Sequence, residues 1–153
     1  MKRKTLITTV LAGALLGAGM AQAAMKPDDA IVARKAVMRV IGLNFGPLGA
    51  MVKGQIPFDN QVFAANAQRL KLVSEMPVEQ YFPKGSETGK GTTVTREIWE
   101  NWDDFENGLK KWRMELAKLA EVAQTGDEAA MRKQFSEAAK TCKGCHDDFR
   151  EKN

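Results

Sequence analysis

Ile98, Trp102, Phe105, Leu109, Trp112, Leu116, Leu119 and Ala123 alternate steps of four and three without interruption. An apolar residue about every 3.5 positions paints one seam along a helix, and such a seam is stable only against other helices. Residues 127–149 repeat the pattern through Met131, Phe135, Ala138, Cys142, Cys145 and Phe149. Thr95 is the expected N-cap of the first of these helices, Gly126 its stop, and Asp127 the opening of the next. Upstream, Ile31, Val37/Met38, Ile41, Phe45, Leu48 and Val52 share a face behind a cap at Asp28 or Asp29. Gly46-Pro47 inside that run predicts a kink or two abutting helices, because proline removes an intrahelical hydrogen bond. Gly54 and Pro57 end it. Asp59 opens a further helix with Val62, Phe63, Asn66, Leu70 and Val73 on one side, stopped by Pro77. Residues 77–95, rich in Pro, Gly, Ser and Thr, read as a long loop of functional or mobile character. The expected fold is all-α, an antiparallel four-helix bundle; the helices are too short and interrupted for a coiled-coil rod.

Residues 1–23 stand apart from this pattern. Lys2, Arg3 and Lys4 precede an apolar run from Leu6 to about Ala18, and Ala21-Gln22-Ala23 then offers a small-x-small cleavage site. That is the pattern of a secretory signal peptide cleaved after Ala23, leaving 24–153 as a periplasmic domain. The run is too short for a bilayer span, which needs about 20 residues. The whole chain of 153 residues carries 23 Lys+Arg against 19 Asp+Glu. Loss of the signal removes three cations and leaves a net charge of +1, with acids interleaved among bases. No basic stripe remains, which argues against nucleic-acid binding.

Both cysteines and the only histidine fall within Cys142-Lys143-Gly144-Cys145-His146. Cys-x-x-Cys-His is the attachment signature of a c-type haem. Thiols at i and i+3 share a helix face and suit the two vinyl groups of one porphyrin. His146 can then turn beneath the ring as the axial iron ligand. The alternatives fit less well. A Cys142–Cys145 disulfide closes a tiny, strained loop; a thioredoxin-like pair expects a strand–helix context and a helix start; a structural zinc site lacks its fourth ligand. No second histidine is present for a bis-histidine haem or for peroxidase acid–base chemistry. The sixth position falls to a methionine, another side chain, water or nothing.

A haem motif at the end of a four-helix bundle, behind an export signal, resembles the class II c-type cytochromes, specifically the cytochrome c′ family. The likeness covers the mature chain and rests on Ala33-Arg34-Lys35-Ala36-Val37-Met38, Val52-Lys53-Gly54-Gln55, Glu97-Ile98-Trp99 and Cys-x-x-Cys-His-x-x-x-Arg at 142–150. It implies one covalent haem c held by Cys142 and Cys145, with His146 as iron ligand. It further implies Arg34 and Lys35 near the propionates, Lys35 standing where the family often has Gln. Arg150 would lie beside the proximal histidine, Thr93 near a propionate, and Met38 on the distal face. Phe45, Phe63, Trp99 and Trp102 are candidates to wall the pocket.

Two functions follow from the resemblance. In one, a five-coordinate haem binds nitric oxide or carbon monoxide beneath a crowded distal face. In the other, the protein exchanges electrons with redox partner proteins; as a low-spin, six-coordinate variant it would use Met38 as sixth ligand. Neither is an enzyme with turnover. The resemblance also implies a homodimer paired through the first two helices.

Overall fold

The computed structural model describes residues 25–152, so the expected export signal lies outside the described residues. Four main helices, Pro27–Val52 (α1), Asn60–Ser74 (α2), Trp102–Ala123 (α4) and Glu128–Phe149 (α5), form the bundle, with a short helix Glu97–Glu100 (α3) leading into α4. α2 packs on α1 and α4, and α5 on α4 and α1. The core follows the expected seams. Ile98, Phe105, Leu109, Trp112, Leu116, Leu119 and Ala123 are buried from one side, and Met131, Phe135, Ala138 and Phe149 from the other.

Helix ends show where local chemistry decides. Asp59 accepts from the Val62 N–H at 2.9 Å and Asp127 from Ala130 at 3.0 Å, each satisfying a donor that its helix leaves open. α1 ends in a Schellman motif. Gly54, at φ +69°, donates to Met51 O (3.1 Å) and Gln55 donates to Ala50 O (2.8 Å). Arg132 of α5 adds a side-chain cap, donating to Met51 O at 3.0 Å and Val52 O at 2.6 Å while lying over the Phe58 ring.

Four expectations need correction. Neither Asp28 nor Asp29 caps α1: Pro27 takes the first helical position, where its fixed φ suits it, and both aspartates fall in the first turn. Their charge favours the helix dipole there instead. α1 continues as one element through Pro47, which overturns two abutting helices and leaves the kink as the surviving alternative. The 98–123 seam is not one helix, because Asn101 (φ −126°, ψ 50°) separates α3 from α4. Its side-chain amide donates to Glu97 O and Oε2 at 3.3 and 3.0 Å, a local bond that competes with helix continuation. Thr95 is not the N-cap either; α3 starts after Arg96, and the Thr95 hydroxyl is buried without a partner.

The 75–96 connection carries a single 3-10 turn at Val78–Tyr81 and is tied down from three directions. Arg113 of α4 donates to Ser74 O, Met76 O and Glu79. Arg34 of α1 reaches Tyr81, Ser86 and Thr92. At the far end Val94 and Arg150 form an antiparallel bridge, with Thr95 N–H donating to Phe149 O (3.0 Å) and Glu151 N–H to Thr93 O (2.8 Å).

Candidate functional site

Those ties border a cavity of about 450 Å³ between α1, the 91–94 segment, α3, α4 and α5. That size lies in the ~300–1,000 Å³ range of small organic ligand pockets. The eight residues expected to hold or contact the cofactor line it: Cys142, Cys145, His146 and Arg150 from the α5 side, Arg34, Lys35 and Met38 from α1, and Thr93 from the connection. Local folding explains the gathering. Arg34 and Met38 are four residues apart on α1, while Cys142, Cys145, His146 and Phe149 follow the i, i+3, i+4, i+7 face of α5. The terminal bridge sets Thr93 and Val94 beside Arg150.

The walls are aliphatic and aromatic, including Ile41, Phe45, Phe82, Phe105, Leu109 and Trp112. Of the four aromatic residues expected there, Phe45 lines the cavity and stacks on Phe135 at 4.4 Å between ring centroids. Phe63, Trp99 and Trp102 do not line it. Phe63 is buried against Phe58, Trp99 donates its indole N–H to Phe82 O at 3.0 Å, and Trp102 packs on Phe105. Helical spacing alone does not tell a pocket-lining aromatic from a core one. Sequence reasoning also missed Phe82, Phe105, Trp112, Phe149, Gly91 and Thr92. The seam named Phe105, Trp112 and Phe149 as buried positions, whereas Phe82, Gly91 and Thr92 sit in the loop, which has no period to read.

The site's electrostatics are one-sided. Arg34, Lys35 and Arg150 line the cavity and no carboxylate does. A group with an apolar body and anionic edges suits such a lining. The two thiols form no disulfide with each other. Burial pushes Cys145 up to about 11, with the neighbouring Cys142 and Asp148 charges adding to the shift. Cys142 is raised too, chiefly by burial, against hydrogen bonds from Thr141 and its own backbone that lower it. Reactive dithiol pairs favour a lowered thiol pKa, and the shift here runs the other way. Partial desolvation, and then the charge of Arg150, lower the His146 imidazole below its ordinary value, with Asp147 opposing. A neutral imidazole is the form that ligates a metal. Asp147 itself pairs with Lys143 along the outer face of α5.

Arg34 departs most from its expected role. Its guanidinium is buried and donates to Tyr81 O (3.3 Å), Ser86 Oγ (2.9 Å), Ser86 O (2.6 Å) and Thr92 Oγ1 (2.6 Å), and lies over the Phe82 ring. All of these donors are terminal nitrogens. Arg34 sits at the cavity as expected, but it also fastens the cavity's loop wall to α1.

Comparison with known proteins supports the same assignment. The family model described as Cytochrome C' matches residues 29–150. The chain is 37% identical over 129 residues to cytochrome c' of Halomonas halodenitrificans, covering 82% of this chain and 98% of that protein. Among solved structures, cytochrome c' from Rubrivivax gelatinosus superposes with a TM-score of 0.76 at 34% identity, covering 83% of this chain and 98% of that one. The nitric oxide complex of a leucine-to-alanine variant of cytochrome c prime from Alcaligenes xylosoxidans gives 0.74 at 32% identity, covering 84% and 98%. On the family match and these relatives, the chain belongs to the cytochrome c′ family.

Proposed function

We propose that this protein is a periplasmic haem c protein whose iron is held by His146 alone, binding nitric oxide and carbon monoxide on the side facing Met38. Membership of the cytochrome c′ family makes it a c-type haem protein and not an enzyme. The observation that carries the finer reading is the composition of the cavity beside α5. It joins two thiols and an imidazole on α5, an apolar body, and three cations with no carboxylate. Cys142 and Cys145 would hold the porphyrin through thioether bonds. Arg34, Lys35 and Thr93 would serve the propionates, and Arg150 the proximal side. When bound, the haem supplies an iron that changes oxidation state and takes a diatomic ligand. The chain's residues shape access to it: Met38, Ile41 and Phe45 bring apolar bulk from α1 that suits a small diatomic and disfavours larger or charged ligands.

A relative of this chain has been solved as a nitric oxide complex, which supports the gas-binding reading. Electron transfer with a redox partner protein is the second reading, and Met38 at the cavity is what favours a six-coordinate form of it. Absorption spectra of the exported protein separate the two. A high-spin ferric spectrum that changes on adding nitric oxide is expected. A low-spin spectrum with a methionine-to-iron charge-transfer band, lost in Met38→Leu, overturns the gas-binding reading. A periplasmic product lacking covalent haem overturns both.

The same proposal includes export by residues 1–23 and a homodimer through α1 and α2. Val32, Leu43 and Leu72 of those helices are 68%, 64% and 56% exposed, apolar surface that a partner copy would cover. No described helix is long and apolar enough to cross a membrane. A monomer-sized sedimentation coefficient at micromolar concentration overturns the dimer.

A further inference from the structure

Arg34 is the one buried charged residue among those described, at 4% exposure. Its hydrogen bonds go to two backbone carbonyls and two hydroxyls, all neutral, and it takes part in none of the ion pairs among the described residues. Neutral oxygens satisfy the donors of a guanidinium without cancelling its charge. Burial lowers its pKa, yet a guanidinium stays protonated in proteins. The acceptors all belong to residues 81–92, and Ser86, which supplies two of them, is fully buried. The segment lies tightly on α1. A Cβ on Gly89 would come within 2.6 Å of Ile31 Cδ1, and one on Gly91, at φ +80°, within 2.7 Å of Lys35 Nζ. Gly91 and Thr92 then line the cavity beside Arg34.

We propose that Arg34 and residues 81–92 act as one redox-tuning unit: the segment holds a guanidinium charge at the cavity wall without neutralising it, and that charge favours the ferrous state of the enclosed haem. The inference rests on the haem reading above. On reduction, one electron arrives from a one-electron donor and no bond forms or breaks. The enclosed group's net charge falls by one, and a fixed cation nearby stabilises that change. Arg34 is a positioning residue for the segment as well as a source of potential. Its four donor contacts tie the segment to α1, and the buried charge serves the cavity as a whole.

The test uses the holoprotein with Arg34→Gln, Arg34→Lys and Ser86→Ala, reading the midpoint potential and backbone hydrogen exchange within residues 81–92. Arg34→Gln is expected to shift the ferric–ferrous equilibrium about tenfold toward ferric, 59 mV lower for a one-electron couple. It should also speed exchange in the segment by about tenfold. Arg34→Lys keeps the charge and should stay within about threefold of the parent equilibrium while exchange still quickens. Ser86→Ala leaves the charge in place and should quicken exchange in 81–92 alone. Equal potentials for Arg34→Gln and parent, or an Arg34→Lys shift as large as that of Arg34→Gln, overturn the tuning role. Unchanged exchange in all three variants overturns the holding role. If Arg34→Gln fails to mature, a large potential shift in Arg34→Lys, or unchanged exchange in both remaining variants, still overturns the proposal. Failure of the haem reading is separately visible, as a parent protein without a haem absorption band.

Discussion

Arg113 offers a case in which an ion pair is conspicuous but minor. Its Nη2 lies 2.5 Å from Glu79 Oε2, with both side chains about one-third exposed, at 30% and 32%. Solvent screening at that exposure holds such a pair to about 0.2–1 kcal/mol. The same guanidinium donates to Ser74 O at 2.9 Å and Met76 O at 3.1 Å. Ser74 is the last residue of α2, so its carbonyl is one of those a helix terminus leaves without a partner. Two charged-donor bonds, one to Ser74 O and one to Met76 O, which also accepts from Val78 N–H at 2.8 Å, are worth about 2–3 kcal/mol together when taken at the low end because of the exposure. Arg113→Met should therefore cost about 2–3 kcal/mol, Glu79→Gln about 0.5 kcal/mol, and their coupling should stay below about 1 kcal/mol. Urea unfolding of the parent, both single variants and the double variant, followed by far-UV circular dichroism, reads all three quantities. The pH dependence has a defined sign. Desolvation raises the Glu79 carboxyl, but the hydrogen bond and charge of Arg113 and a backbone bond outweigh it and leave the pKa below its ordinary value. A depressed carboxyl contributes stability above its unfolded pKa, about 4.3, and loses it as pH falls through the folded value. The gap between parent and Glu79→Gln should close in that acid window. A coupling energy of about 2 kcal/mol, or an Arg113→Met cost no greater than that of Glu79→Gln, refutes the reasoning.

Gly54→Ala should cost about 1–2 kcal/mol in thermal unfolding. Its φ of +69° is the whole cause, since a Cβ there meets nothing within 4 Å; an unchanged melting curve would contradict it. Thr95→Val should be neutral or stabilising, because the buried hydroxyl it removes has no partner; a loss beyond about 1 kcal/mol in urea would show that the hydroxyl is satisfied after all. Phe135→Ala should cost about 3–5 kcal/mol and loosen the cavity wall at Phe45, on which it stacks. Unfolding reports the first effect and carbon monoxide association the second, and a variant within 1 kcal/mol of the parent would overturn the packing argument.

The parts of the fold legible in the sequence are those governed by short-range rules. The 98–123 and 127–149 seams, the caps at Asp59 and Asp127 and the Gly54 terminus all depend on residues within a turn or two. The motif at 142–146 was equally local, and a single helix face suffices to bring its three side chains to one wall. What escaped was decided elsewhere. Thr95 looked like a cap, but its backbone N–H is taken by Phe149 and the helix begins after Arg96. The seam through Trp102 gave no warning of Asn101, whose side chain bonds back to Glu97. The loop wall was the least legible part. Arg34 is picked out by the family resemblance of its own 33–38 stretch, while its partners Ser86 and Thr92 lie 52 and 58 residues away in a stretch without periodicity.

The bridge between Val94 and Arg150 bears on how the molecule can be handled. Phe149 and Glu151 hold the 93–95 segment by backbone hydrogen bonds, which no choice of side chain restores once the residues are removed. A shortened version ending at the haem motif would lose the latch on the opposite wall although every motif residue remained. An affinity tag or fusion partner belongs beyond Glu151 behind a flexible spacer, so that its pull falls on solvent and not on the pocket.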